Sequence, residues 1–178
     1  MIRRSLPKKE PLRPDSVPER AWQRISVDKF DAKGRQHQLI TDYFSKYDEL
    51  EMLPRNPTSY HCIQHIKRVV SRFGLPDKLR SDGDPLYTSK EFKDFLKSYD
   101  IPHTLSSAGY PQSNGFIERH VANVKNMVTK SDDIHLALLN YRNTPISSEL
   151  PSPAKKLLNR EIRTKLPVCS NLLVTESD

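Results

Sequence analysis

The chain has 178 residues, with 29 Lys and Arg against 22 Asp and Glu, a net charge of +7 and a pI near 9.4. That length is enough for one domain with its own core, and the positive balance favours polyanionic partners, because neutralising phosphates releases condensed counterions. Two distant cysteines, Cys62 and Cys169, exclude a disulfide framework and a zinc finger, and no apolar run approaches the ~20 residues needed to cross a bilayer.

Residues 1–20 carry Pro7, Pro11, Pro14 and Pro18 among charged residues and read as a flexible, basic, Pro-rich arm. The start, Met1 to Lys9, has no apolar segment of the secretory kind, which leads to the expectation of an intracellular protein, nuclear or cytoplasmic. Order begins near Trp22. Residues 22–30 and 37–45 have the pattern of two strands joined by a turn at Ala32-Lys33-Gly34-Arg35, and Asp48 to Leu53 adds a third. Thr58 or Ser59 caps a helix that sets Cys62, Ile66, Val69, Val70 and Phe73 on one face and stops at Gly74. Cys62 on that stripe reads as a small buried hydrophobe.

Lys78 to Ser81 is a short strand leading into a turn at Asp82. Thr88 or Ser89 opens a helix with Phe92, Phe95, Leu96 and Tyr99 on one face, and Ile101 to Leu105 forms another strand. Ser106 to Gln112 is loop-like, with Gly109 and Pro111 as breakers. A long helix then runs from about Ser113 to Lys130, a second is marked by Ile134, Ala137, Leu138 and Tyr141, and Pro153 to Arg160 forms a last short one. Strands that alternate with helices after an initial meander predict an α/β fold with a mixed sheet.

Three acids stand out. Asp28 lies in a strand-like run, where Asp is depleted; Asp82 ends a strand; Glu118 lies on the long helix, with thirty-five residues between the last two. Taken singly, Asp82 is an ordinary turn residue and Glu118 an ordinary solvated acid near a helix start. Together they form a set able to hold divalent metals for phosphoryl transfer in a basic chain. At 100° per residue, Ile117, Val121, Val124 and Val128 form a stripe facing the sheet, and Asn114, Glu118 and Lys125 line its edge, roughly 60–100° round from Ile117. Lys125 is then placed to touch a phosphate backbone, whereas Arg119 and His120 point elsewhere.

These pieces, in order, resemble a known family. Ala21-Trp22-Gln23 leads to Val27-Asp28, followed by Ile40-Thr41-Asp42-Tyr43-Phe44-Ser45-Lys46, Phe73-Gly74-Leu75-Pro76 and Leu79-Arg80-Ser81-Asp82-Gly83-Asp84-Pro85. Then come Glu91-Phe92, His103 to Ser107, Tyr110-Pro111-Gln112-Ser113-Asn114-Gly115-Phe116-Ile117-Glu118-Arg119, Tyr141-Arg142-Asn143-Thr144-Pro145, Ser152-Pro153-Ala154 and Ile162 to Pro167. The set is similar to the catalytic core of a retroviral-type integrase, above all the integrase region of Gypsy-type LTR retrotransposon polyproteins, over roughly residues 20 to 168.

The resemblance implies an RNase H-like fold, a five-stranded mixed sheet flanked by helices. It divides the chain into the arm (1–20), an integrase catalytic core (21–130) and a C-terminal helical extension and tail (131–178). It casts Asp28, Asp82 and Glu118 as catalytic and metal-binding residues for two Mg²⁺ or Mn²⁺ ions, hard cations that prefer oxygen ligands. On that resemblance Asp28 would bridge the ions, Asp82 would bind one and Glu118 the other. The implied reactions are trimming of DNA 3′ ends and strand transfer into target DNA, in the two-metal manner. DNA is the implied partner and a homo-oligomer the implied form of an active enzyme, with no membrane and no small-molecule cofactor. Asn114, Lys125 and the Ser106–Gln112 loop are candidate DNA contacts. Asp42 and His103 occupy motif positions but read as structural.

One motif departs from the family. After its second aspartate the usual turn reads Asn-Gly-Pro, and here it reads Gly83-Asp84-Pro85, which sets an added negative charge beside Asp82. The departure keeps a second reading open, a catalytically silent, domesticated or decayed DNA-binding module.

Overall fold

The computed structural model describes residues 18–106 and 111–175, with side chains in the second span from Arg119 onward. Residues 1–17 of the arm expected over 1–20, and 107–110 of the expected 106–112 loop, therefore lie outside the described residues. Five strands, β1 (Arg24–Ala32), β2 (Arg35–Asp42), β3 (Asp48–Met52), β4 (Lys78–Ser81) and β5 (His103–Leu105), form one sheet in the order β3-β2-β1-β4-β5. The first three are antiparallel neighbours, and β4 and β5 run parallel to β1. The helices are α1 (Ser59–Phe73), α2 (Pro85–Thr88), α3 (Lys90–Ser98), α4 (Pro111–Lys130), α5 (Ile134–Arg142) and α6 (Pro153–Leu158), followed by a 3₁₀ turn at Ser170–Leu173. This is the expected mixed sheet with flanking helices.

The β1–β2 hairpin turns at Lys33 and Gly34, both at positive φ (52° and 68°), the pair of left-handed residues a tight two-residue turn demands. Along β1 the side chains alternate between two cores. Ile25 and Val27 join Cys62, Ile66, Val69, Phe92 and Phe95 of α1 and α3 on one face. On the other face, Phe30 and Ala32 meet Val124 and Val128 of α4. The valine stripe of the long helix thus faces the sheet as expected. Burial pushes the Cys62 thiol up to about 11, in keeping with its reading as a packed hydrophobe.

Boundaries differ from the sequence expectation where side chains or proline intervene. β2 stops at Asp42, not Ser45, because the buried Asp42 carboxylate accepts from Trp22 N, Phe44 N, Ser45 N and Ser45 Oγ and bends the chain into a turn. That confirms Asp42 as structural. β5 starts at His103, not Ile101: Ile101 N–H still donates to Leu96 O at the end of α3, and Pro102 has no N–H to give. Helix α2 was not foreseen, and α4 begins at Pro111, two residues early.

His120 has a partner that the sequence did not name. It points inward and is 6% exposed. Its Nε2 lies 2.8 and 2.9 Å from the two oxygens of the fully buried Asp48, which also accepts from Thr41 Oγ1 at 2.7 Å. Arg142 of α5 donates to the Asp48 carbonyl and pairs with Glu49 at 3.3 Å. This clasp ties β3 to α4 and α5. Losing its acceptor strands two buried donors, so Asp48→Ala should lower unfolding free energy by about 2–4 kcal/mol in a urea titration.

His65 of α1 is buried against Gln38, with Nδ1 2.9 Å from Gln38 Oε1. Burial first, and then Arg68 and Arg72, hold its pKa down at about 3 against an ordinary 6.5. The folded state therefore refuses a proton that the unfolded chain accepts. The stability tied to this group is full above about pH 6.5 and falls as pH drops from there toward 3. His65→Gln should flatten the pH dependence of unfolding in that window, by on the order of 1 kcal/mol per pH unit.

Candidate active site

The parallel pairing of β1 and β4 sets Ile25 opposite Leu79, Ser26 opposite Arg80 and Val27 opposite Ser81. The residues that follow that last pair are both aspartates, Asp28 in β1 and Asp82 just after β4. Two acids remote in sequence are thereby brought to neighbouring strands at the end of their pairing. Alternation puts Asp28 on the sheet face of Phe30 and Ala32, the face covered by α4.

Local hydrogen bonds orient both acids. Lys29 N–H donates to Asp28 Oδ1 at 2.7 Å, and Asp84 N–H donates to Asp82 Oδ1 at 3.0 Å. Asp28 is half-buried and Asp82 is exposed. Ser81 Oγ, beside Asp82, lies 2.9 Å from His103 Nε2, and the His103 ring packs against Phe92. His103 therefore has the packing role expected of it. Beneath the acids lies the fully buried Tyr87, whose phenol is pushed well above its usual range by burial first and then by the charges of Cys62 and Asp28.

The added acid of the Gly83-Asp84-Pro85 turn has a definite place. Asp84 Oδ1 caps α2 by accepting from Leu86 N at 2.9 Å, and its Oδ2 pairs with Lys29 Nζ at 2.7 Å. Its charge is met within the fold. Neither Lys29 nor the cap had been recognised from sequence; the available signal was the Asp-Pro start of a short helix.

Glu118 lies on the first half of α4, and its side chain, like that of Asn114, falls outside the described residues. Among the described residues no group of three His, Cys, Asp or Glu side chains could hold a metal ion. Lys125 is exposed on α4, away from the Val124–Val128 seam. The donor set that is described, two carboxylates oriented by backbone N–H groups, fits a hard divalent cation in its chemistry.

A five-stranded mixed sheet with an aspartate on its central strand, a second at the end of the neighbouring parallel strand and a helix across that face defines the RNase H-like class. Within that class, residues 25–111, about half of the chain, match the integrase core domain family, and that segment belongs to it. An uncharacterized protein of Caenorhabditis elegans is 32% identical over 171 residues, 90% of this chain and 13% of the relative. The Gag-Pol polyprotein of walleye dermal sarcoma virus is 27% identical over 136 residues, 71% of this chain and 8% of the polyprotein. The chain thus spans a small part of the curated relatives it matches.

Among solved structures, the catalytic core domain of BIV integrase superposes with a TM-score of 0.67 at 18% identity, covering 78% of this chain and 95% of that one. The HTLV-2 integrase catalytic core domain, in complex with magnesium and in dimeric form, gives 0.60 at 21% identity over 78% and 97%. At such identities the likeness establishes the fold. No helix among the described residues is long and apolar enough to cross a membrane.

Substitution separates the two duties of Asp84. Asp84→Asn keeps a good cap and loses the ion pair; Asp84→Ala loses both. Denaturant titration should show about 1 kcal/mol of extra loss for Asp84→Ala relative to Asp84→Asn.

Proposed function

We propose that the chain is a metal-dependent polynucleotidyl transferase core that trims DNA 3′ ends and joins them to target DNA. The observation that carries the reading is the β1–β4 register, whose last pair is Val27 and Ser81 and which leaves Asp28 and Asp82 as the residues that follow that pair. Asp28, Asp82 and Glu118 would hold Mg²⁺ or Mn²⁺, and the magnesium in the HTLV-2 core supports that choice. When bound, such ions supply Lewis acidity at the scissile phosphate and lower the pKa of the attacking water or 3′-hydroxyl.

The chain's own groups have distinct duties. The N–H groups of Lys29 and Asp84 fix the rotamers of Asp28 and Asp82. Lys29 pairs with Asp84 and offsets its charge beside Asp82. Asn114 and Lys125 contact the DNA backbone, with Lys125 acting as a point charge on an exposed helical face. The division into arm (1–20), core (21–130) and helical extension (131–178), the nuclear or cytoplasmic location and assembly as a homo-oligomer belong to the same proposal. The dimeric HTLV-2 core supports the last of these.

The decisive experiment is nicking and strand transfer on oligonucleotide duplexes with Mg²⁺ or Mn²⁺. Loss of an outer-shell partner alone typically costs 10–100-fold, so Asp82→Asn and Glu118→Gln should each reduce turnover by more than about 100-fold. Retained turnover in either would sink the assignment. The Gly83-Asp84 departure favours a second reading, a silent DNA-binding module. Its signature is DNA binding that weakens steeply with salt in a protein without metal-dependent turnover.

A further inference from the structure

At the far end of β1 from Asp28, the β2–β3 turn, α4, α5 and α6 enclose a cleft of about 320 Å³. Four residues of extended strand, roughly 13 Å, separate Arg24 at this end from Asp28. On α4 the cleft uses Arg119, His120 and Asn123, which at 100° per residue lie 100–200° round the helix from position 118. The cleft is therefore remote from the carboxylates both along the strand and around the helix.

Its lining is mixed: Lys46 and Arg119 supply positive charge, and Tyr141, Ile146 and Pro153 supply aromatic and apolar surface. More positive charge stands behind Lys46. Arg24 lies over the Tyr43 ring, and Lys156 donates to Phe44 O at 2.7 Å. The acids nearby are already committed: Asp42 takes bonds from its own turn, and Asp48 takes those of Thr41 and His120. Lys46 itself donates to Tyr43 O. Burial first, and then the charge of Lys156, brings its pKa down to about 8.

We propose that this cleft is a second nucleic-acid site, taking one unpaired nucleotide with its phosphate against Lys46 and Arg119 and its base or sugar against Tyr141, Ile146 and Pro153. The volume is that of a small-ligand pocket and exceeds what a bare phosphate needs. Apolar and aromatic lining beside two cations is the composition by which single-stranded nucleic acid is held through stacking and backbone charge. The proposal deepens the DNA-processing reading without depending on turnover. A chain with no transferase activity would still bind here.

The test is fluorescence anisotropy of the full chain with a labelled, 5′-phosphorylated oligodeoxythymidylate in EDTA, so that no divalent ion contributes. Lys46→Met should weaken binding about ten-fold, the loss of one charge-assisted contact. Asn123→Glu, at an exposed helical position where folding is not at stake, should weaken it similarly, whereas removal of an exposed cation on the other sheet face, Lys97→Ala, should leave it within about two-fold. Unchanged binding in both cleft variants, or equal weakening in Lys97→Ala, would overturn the proposal. So would displacement of the oligonucleotide by an acidic peptide at lower concentration than by unlabelled oligonucleotide, which would make the cleft a peptide site.

Discussion

The pairing of β1 with β4 is the constraint on which the rest of the molecule turns. β1 is antiparallel to β2 on one side and parallel to β4 on the other. A parallel neighbour cannot be reached by a hairpin; the chain has to return to the starting end of the sheet through a crossover. The β3–α1 segment makes that return, and the Trp22 indole N–H fastens its far end by donating to Gly74 O at 2.8 Å. Without this crossover Asp28 and Asp82 would have no reason to meet.

Bringing acids together at a strand end raises a charge problem, and the added Asp84 makes it worse. The fold answers by spending both Asp84 oxygens, one on the first turn of α2 and the other on Lys29. A carboxylate so engaged is a structural group. Lys29 can do this because it follows Asp28 in a strand, so its side chain emerges on the opposite face from the acid. Adjacent residues of opposite charge thus serve the two sides of one sheet.

Much of this was legible in the sequence because it is local. The Lys33-Gly34 turn, the Ser89 cap, the Gly74 stop and the valine stripe of α4 each follow from spacing and backbone preference over a few residues. The Asp28 and Asp82 positions were legible through motif order. What escaped was long-range or too short to show a period. α2 has four residues, fewer than a periodic pattern needs. The His120–Asp48 contact joins residues 72 apart, and helix geometry sets His120 away from the Glu118 edge without naming its partner. The one hint was an Asp opening a strand, a residue strands disfavour unless a partner meets it.

That clasp also links stability to any chemistry on α4. Position 118 is two residues before His120, and the described core holds α4 to the sheet through Val124 and Val128, further along the helix. On the N-terminal side of those valines, the buried Asp48–His120 contact is the described bond that pins the helix to the sheet. The strand-borne Asp28 is fixed by the sheet itself, whereas a ligand on α4 inherits the position of the whole helix. Positional errors near 1 Å can cost about 100-fold in rate. A defect in the clasp would therefore be felt in the fold and in the placement of any group on the first half of α4.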